Sequence, residues 1–205
     1  EDVLWVFHDP GQALYRDDVV GELGLDRLEM HENWRNPGSV AELAGRFYRG
    51  GTAVAAFRDE AGARHRVEEA EPGRATIEAL RKVLHELTEV ERVNPWQIAV
   101  LSGRSAAESG AWRERRFGNV VLANQAITDE GTSRKLPPEA IADEPDDCVL
   151  FETIRRFKGL EREVIVLVEL PVDVPRLDEL LYVGLTRATT QLVVVAPPAL
   201  AARLR

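Results

Sequence analysis

The sequence predicts an α/β fold: a mostly parallel sheet flanked by helices. Two observations carry that prediction. Short runs such as residues 164–168 and 192–195 are apolar at every position instead of alternating. Such runs are buried on both faces, as the strands of a helix-covered parallel sheet are. These runs also take turns along the chain with segments whose apolar residues recur at helical spacing.

Taken in order, Val3 to Phe7 is an apolar run bounded by Asp9-Pro10-Gly11, a strand ending in a turn. Asn36-Pro37 has the form of a helix start, with Asn as the cap and Pro in the first turn, followed by Val40, Leu43, Ala44 and Phe47. Residues 48–73 are rich in Gly, Arg and Glu and predict loops with a short hairpin. Ile77, Leu80, Val83, Leu84, Leu87 and Val90 form the clearest amphipathic helix. Strands are expected over 96–101, 120–123, 148–154, 163–170 and 191–196. A Pro- and acid-rich loop is expected over 129–147, and a helix over 178–188. The chain has no internal repeat.

The bulk numbers narrow the class. The chain has 205 residues, 44% hydrophobic and 30% charged, with net charge -9. A chain of this size buries roughly 70% of its unfolded surface and needs no metal or disulfide staple. Cys148 is the single cysteine, which excludes an internal disulfide and suits a reducing compartment; a cytoplasmic location is expected. The most apolar stretch, 164–168, is far too short to span a bilayer. The net charge argues against strong non-specific nucleic-acid binding by this chain alone. The start "EDVLWVF", without Met and almost directly in a strand, is expected of a piece of a longer protein.

Four segments put polar groups where predicted strands end: 6–16, 32–37, 153–161 and 182–188. In open α/β sheets ligands bind at the ends of strands. Each segment alone also has an ordinary explanation. Asp9 could cap a turn, Arg35 could lie on a helix surface, Arg155, Arg156 and Lys158 could form a solvated run, and Arg187 could pair with a carboxylate.

As an ordered set they are more specific. His8-Asp9-Pro10-Gly11-Gln12-Ala13-Leu14-Tyr15, Asn33-Trp34-Arg35-Asn36, Thr153 through Glu161 (TIRRFKGLE) and Tyr182-Val183-Gly184-Leu185-Thr186-Arg187-Ala188 resemble motifs III to VI of the superfamily 1 DNA helicases of the UvrD/Rep/PcrA type. The last two matches are long, and the order is the family's. The resemblance implies the second RecA-like domain of a P-loop NTPase motor that lacks its own P-loop. Residues 1–20 would be the last strand and motif III loop of the first motor domain, and residues 21–205 the second motor domain.

The resemblance also implies roles. Gln12 would sense the γ-phosphate, and Arg35 and Arg187 would reach it across an interdomain cleft. Glu161, beside Gly159, would contact the nucleotide sugar. Thr153, Arg155 and Arg156 would face the DNA backbone. ATP and Mg²⁺ would bind in the full-length protein and not tightly to this chain. The partners would be DNA, single-stranded or at a single/double-strand junction, and the N-terminal motor domain of the same polypeptide, with no membrane. Arginine suits such work because it stays charged and offers phosphate a planar fork of donors.

There is no G-x-x-x-x-G-K-[ST] and no Gly-Lys pair. None of the Asp-Glu pairs at 59, 129, 143 and 178 ends an apolar strand. The phosphate loop and Mg²⁺ carboxylates are therefore expected before residue 1, and the isolated chain is expected to be inactive. The rival expectations are a degenerate helicase-like binding module without catalysis and an unrelated α/β domain.

Overall fold

The computed structural model describes residues 6, 9–12, 14, 24, 32–49, 55–58, 64–132 and 148–205. Two parallel strands, β1 (Glu32–Pro37) and β2 (Ala55–Arg58), form a small sheet. The main sheet has seven strands: β3 (Arg64–Glu69), β4 (Ile98–Ser102), β5 (Arg116–Phe117), β6 (Val120–Ala123), β7 (Cys148–Thr153), β8 (Arg162–Val168) and β9 (Ala188–Ala196). Their spatial order is β3-β9-β8-β4-β7-β6-β5. Every neighbouring pair is parallel except β5–β6, which is antiparallel.

Among the described residues five α-helices accompany the sheet: α1 (Gly38–Gly45), α2 (Arg74–His85), α3 (Gly110–Glu114), α4 (Leu177–Leu185) and α5 (Pro198–Leu204). The central strands divide their side chains between two cores. Leu101, Ile165, Leu167, Leu192 and Val194 pack with Leu43, Leu181 and Leu200 from α1, α4 and α5. Val100, Val166, Val193 and Val195 point the other way, onto Leu80, Leu84 and Trp112 from α2 and α3. This two-sided burial is why these strands read as unbroken apolar runs. Gly184 lets α4 lie close on the sheet. A Cβ there would stand 3.2 Å from Leu167 Cδ1 and 3.3 Å from Ile154 Cδ1. Among the described residues no helix is long and apolar enough to cross a membrane.

Two expectations are corrected. Residues 48–73 hold no hairpin between their two strands, because β2 joins β1 and β3 joins β9, both in parallel. Asn36 does not cap a helix. It is the fifth residue of β1, Pro37 occupies the N-cap of α1, and no side chain caps that end. The helix expected from 77 to 90 runs α-helical from Arg74 to His85 and closes in a π turn, Glu86–Val90, with Leu87 buried. The strand expected at Trp96 starts at Ile98, after a 3-10 turn over Pro95–Gln97. The strand expected over 3–7, the boundary at residue 20 and the loop from 133 to 147 lie outside the described residues.

Candidate functional site

Arg187 lies in the turn between α4 and β9, at the edge where β8 and β9 begin. It is 1% exposed. Its Nε donates to Val183 O at 2.9 Å, Nη1 to Leu160 O at 3.2 Å and Nη2 to the Thr186 hydroxyl at 2.9 Å. That hydroxyl itself donates back to Tyr182 O at 2.8 Å. All three acceptors around Arg187 are neutral oxygens, and no carboxylate pairs with it among the described residues. A guanidinium has five N–H donors, so one on each Nη is left over. Burial and the neighbouring Arg35 push its pKa down to about 10, against the pull of Asp9, Tyr182 and Glu161. At neutral pH Arg187 is a buried cation with no ion-paired carboxylate among the described residues.

Three further segments meet it. The first is the Asn33–Asn36 stretch of β1. Asn33 Oδ1 accepts the backbone N–H of Arg35 at 3.0 Å and of Asn36 at 3.1 Å, an Asx-type arrangement. Arg35 Nε lies 3.0 Å from Glu161 Oε2, with the two side chains 44% and 55% exposed. Asn36 is buried, and its Nδ2 donates to Thr186 O at 3.0 Å and Ala188 O at 2.8 Å. Trp34 is 59% exposed.

The second is the 3-10 turn Pro10–Gln12. The Asp9 carboxylate gathers its groups: Gly11 N–H donates at 2.9 Å, Gln12 Nε2 at 2.8 Å and the Tyr182 hydroxyl at 3.2 Å. Burial and Asp9 raise the Tyr182 pKa, so the phenol stays protonated as a donor. The third is the end of the β7–β8 crossover. Gly159 there has φ +89°, a left-handed backbone that glycine adopts freely, and Glu161 follows at the edge. Gln12, Arg35, Glu161 and Arg187 thus share one edge of the sheet.

The other predicted site residues lie at the opposite edge. Thr153 ends β7 beside Ser102, the last residue of β4. Glu152 is 7% exposed and accepts from Asn124 Nδ2 at 3.1 Å and from Thr153 N–H at 2.8 Å. Arg156 Nε lies 3.3 Å from the same carboxylate. Arg155 is half-buried and has no ion pair or hydrogen bond from its side chain among the described residues. The expectation that all four polar segments lie where strands end is therefore corrected for three of them: Arg187 and Glu161 precede β9 and β8, Arg35 lies within β1, and among the described residues the Thr153 group follows a strand.

The comparisons with known proteins fit this layout. Residues 149–195, from β7 through most of β9, match the model of the UvrD-like helicase C-terminal domain. No curated protein matches the sequence. Among solved structures it is similar to the C-terminal domain of a possible DNA helicase from Lactobacillus plantarum WCFS1. That match has 17% identity and a TM-score of 0.54, and covers 84% of this chain and 94% of that one. The β7–β8 and α4–β9 connections, which hold candidate residues, fall inside the matched stretch.

Several residues of the edge were quoted within the motifs but given no role at the site from sequence: Asn36, Asn33, Thr186, Asp9, Tyr182 and Trp34. Two Asn three positions apart around an Arg was the available signal for the Asx arrangement. The Asp9–Tyr182 bond spans most of the chain and left no local signal.

Proposed function

We propose that this chain is the second motor domain of an ATP-dependent DNA helicase or translocase, supplying Arg35 and Arg187 to the phosphates of ATP held against a first motor domain of the same polypeptide. One observation carries this. Arg187 is a buried cation with neutral partners, two N–H groups to spare and a second arginine close by. A buried arginine that only supports a fold is normally paired with a carboxylate. Excess positive charge with a forked pair of donors suits a phosphate group.

The neighbouring groups fit the same ligand. Phosphoryl transfer needs charge neutralisation and positioning more than covalent help. Arg35 is 44% exposed and faces Glu161, which is 55% exposed, so both side chains are open to an incoming ligand. Exchange of Glu161 for a phosphate would free the carboxylate for a sugar hydroxyl beside Gly159. The exposed ring of Trp34 offers a stacking face for a base. Gln12 is tied through Asp9 to Tyr182 on the helix that leads to Arg187, so movement at either end is felt at the other. Thr153, Arg155 and Arg156, at the far edge, would meet the DNA backbone. The phosphate loop and the Mg²⁺ carboxylates belong in this scheme to the first motor domain.

One observation favours the rival, a binding module without catalysis: each nitrogen of Arg187 already has a partner inside the domain. Calorimetric titration with a non-hydrolysable ATP analogue separates the two. The full-length protein should bind it and the isolated chain should not. Micromolar binding by the isolated chain contradicts half a site, and no binding by the full-length protein supports the rival.

A further inference from the structure

Resting on the nucleotide scheme above, we propose that Asn36 is a positioning residue, whose carboxamide fixes the turn that carries Arg187 and ties it to the strand, β1, that carries Arg35. Asn36 is 1% exposed. Its Nδ2 spans Thr186 O and Ala188 O, the peptide oxygens on either side of Arg187, at 3.0 and 2.8 Å. Both of its N–H groups are used in doing so. Its Oδ1 accepts from Asn33 Nδ2 at 3.0 Å, and Asn33 Oδ1 in turn holds the backbone N–H of Arg35. A series of hydrogen bonds through the two Asn side chains therefore runs from the backbone N–H of Arg35 to the carbonyls of Thr186 and Ala188 that flank Arg187. The carbonyl between the two held by Asn36, Arg187 O, is fixed from outside as well, by Arg162 N–H at 3.1 Å.

The geometry makes this more than satisfaction of a buried amide. A carboxamide that grips the carbonyls before and after one residue constrains that residue's own backbone angles. A small rotation of the turn is amplified at the end of a long side chain. Misplacement of an oriented group by about 1 Å can cost on the order of a hundredfold in rate. Asn36 touches no nucleotide in this scheme. It acts by keeping two guanidiniums, which repel one another, at a fixed separation.

The test uses the full-length protein. ATP turnover, KM for ATP and melting temperature are measured for Asn36→Ala, Arg187→Ala and the double variant. Asn36→Ala should lower kcat about tenfold or more with KM changed by less than about twofold. It should add no further loss in the Arg187→Ala background, because its effect runs through that arginine. An equal loss in both backgrounds, or normal kcat in Asn36→Ala, overturns the positioning role while leaving the nucleotide scheme standing. Normal turnover in Arg187→Ala removes the nucleotide scheme and the positioning role with it. Should Asn36→Ala fail to fold, Asn36→Ser, which keeps one hydroxyl donor, takes its place. An intermediate kcat with unchanged KM supports the proposal, and wild-type kcat overturns it.

Discussion

Arg35 and Glu161 join β1 to the β7–β8 crossover by an ion pair of 3.0 Å that remains open to solvent on both sides. Exposed pairs of this kind contribute about 0–1 kcal/mol. Arg35→Ala should therefore shift the melting temperature of the full-length protein by only a few degrees, while lowering ATP turnover by at least about tenfold. A large fall in melting temperature would show that the pair is structural and that lost turnover reports unfolding.

Arg187 is in a different position, because its loss takes a donor from Val183 O, Leu160 O and the buried Thr186 hydroxyl, and among the described residues only Val183 O of these has another, the Thr186 hydroxyl at 3.2 Å. A buried acceptor left unsatisfied costs about 1–3 kcal/mol. Arg187→Ala should thus be measurably less stable. At temperatures well below its melting point it should still bind ATP and hydrolyse it about a hundredfold or more slowly. Arg187→Lys should restore little, since an ammonium does not reproduce the fork. Turnover and melting temperature measured on the same preparations decide the matter, and near-normal turnover in a folded variant would exclude the phosphate role.

Asp178 on α4 gives a pH prediction. Burial works to raise its pKa, but hydrogen bonds from Arg49 and Arg203 outweigh it and hold the carboxyl below its ordinary value of 3.8. A carboxyl whose folded pKa is depressed lends stability that is fully present above the unfolded pKa and is lost as pH falls through the folded one. The charged partners are largely exposed, so about 1 kcal/mol is at stake. Asp178→Asn should melt several degrees lower near pH 7, and the gap to wild type should shrink as pH falls below about 4. Thermal melts across that range would show it, and a gap that stays constant would deny the charge a role.

On the far edge, Arg155 and Arg156 should not be equivalent toward DNA. Arg156 is engaged by Glu152, whereas Arg155 has no side-chain partner among the described residues. With net charge -9, binding of single-stranded DNA by the isolated domain should be weak and its salt dependence shallow. In the full-length protein Arg155→Ala should weaken binding more than Arg156→Ala does. Fluorescence anisotropy over a salt series measures both, and a steep slope for the isolated domain would reveal a basic face elsewhere.

The parts of this domain that could be read from sequence were those where residue type conflicts with its surroundings. Thr186-Arg187 between two apolar runs is such a conflict, and so is a Lys-Gly-Leu-Glu stretch leading into a buried strand. The central strands were legible because burial on both faces makes them apolar throughout. β3 was not. It lies at the edge of the sheet, and His65, Arg66, Glu68 and Glu69 make it look like a polar loop. Asn36 looked like a helix cap because an Asn-Pro pair usually is one. Its actual partners, 150 and 152 residues away, could be known only from the fold. The same holds for Arg187: its sequence position announced a constrained cation, and only the fold showed that its acceptors are neutral.

The connection from β7 to β8 is eight residues long, 154–161, and passes from the edge where β7 ends to the edge where β8 begins. β8 has seven residues, so the crossover must descend roughly 20 Å. Eight residues of α-helix would cover only about 12 Å. The segment coils into turns over 154–159, with Phe157 N–H donating to Thr153 O and Leu160 N–H to Phe157 O at 3.0 Å each, and is left only its last residues to cover the remaining distance. The buried side chains of Ile154 and Phe157 pin those turns against the core. A displacement of Thr153 is thus handed to Glu161 through packed turns, as one link of a short chain passes a pull to the next, where a long exposed loop would absorb it.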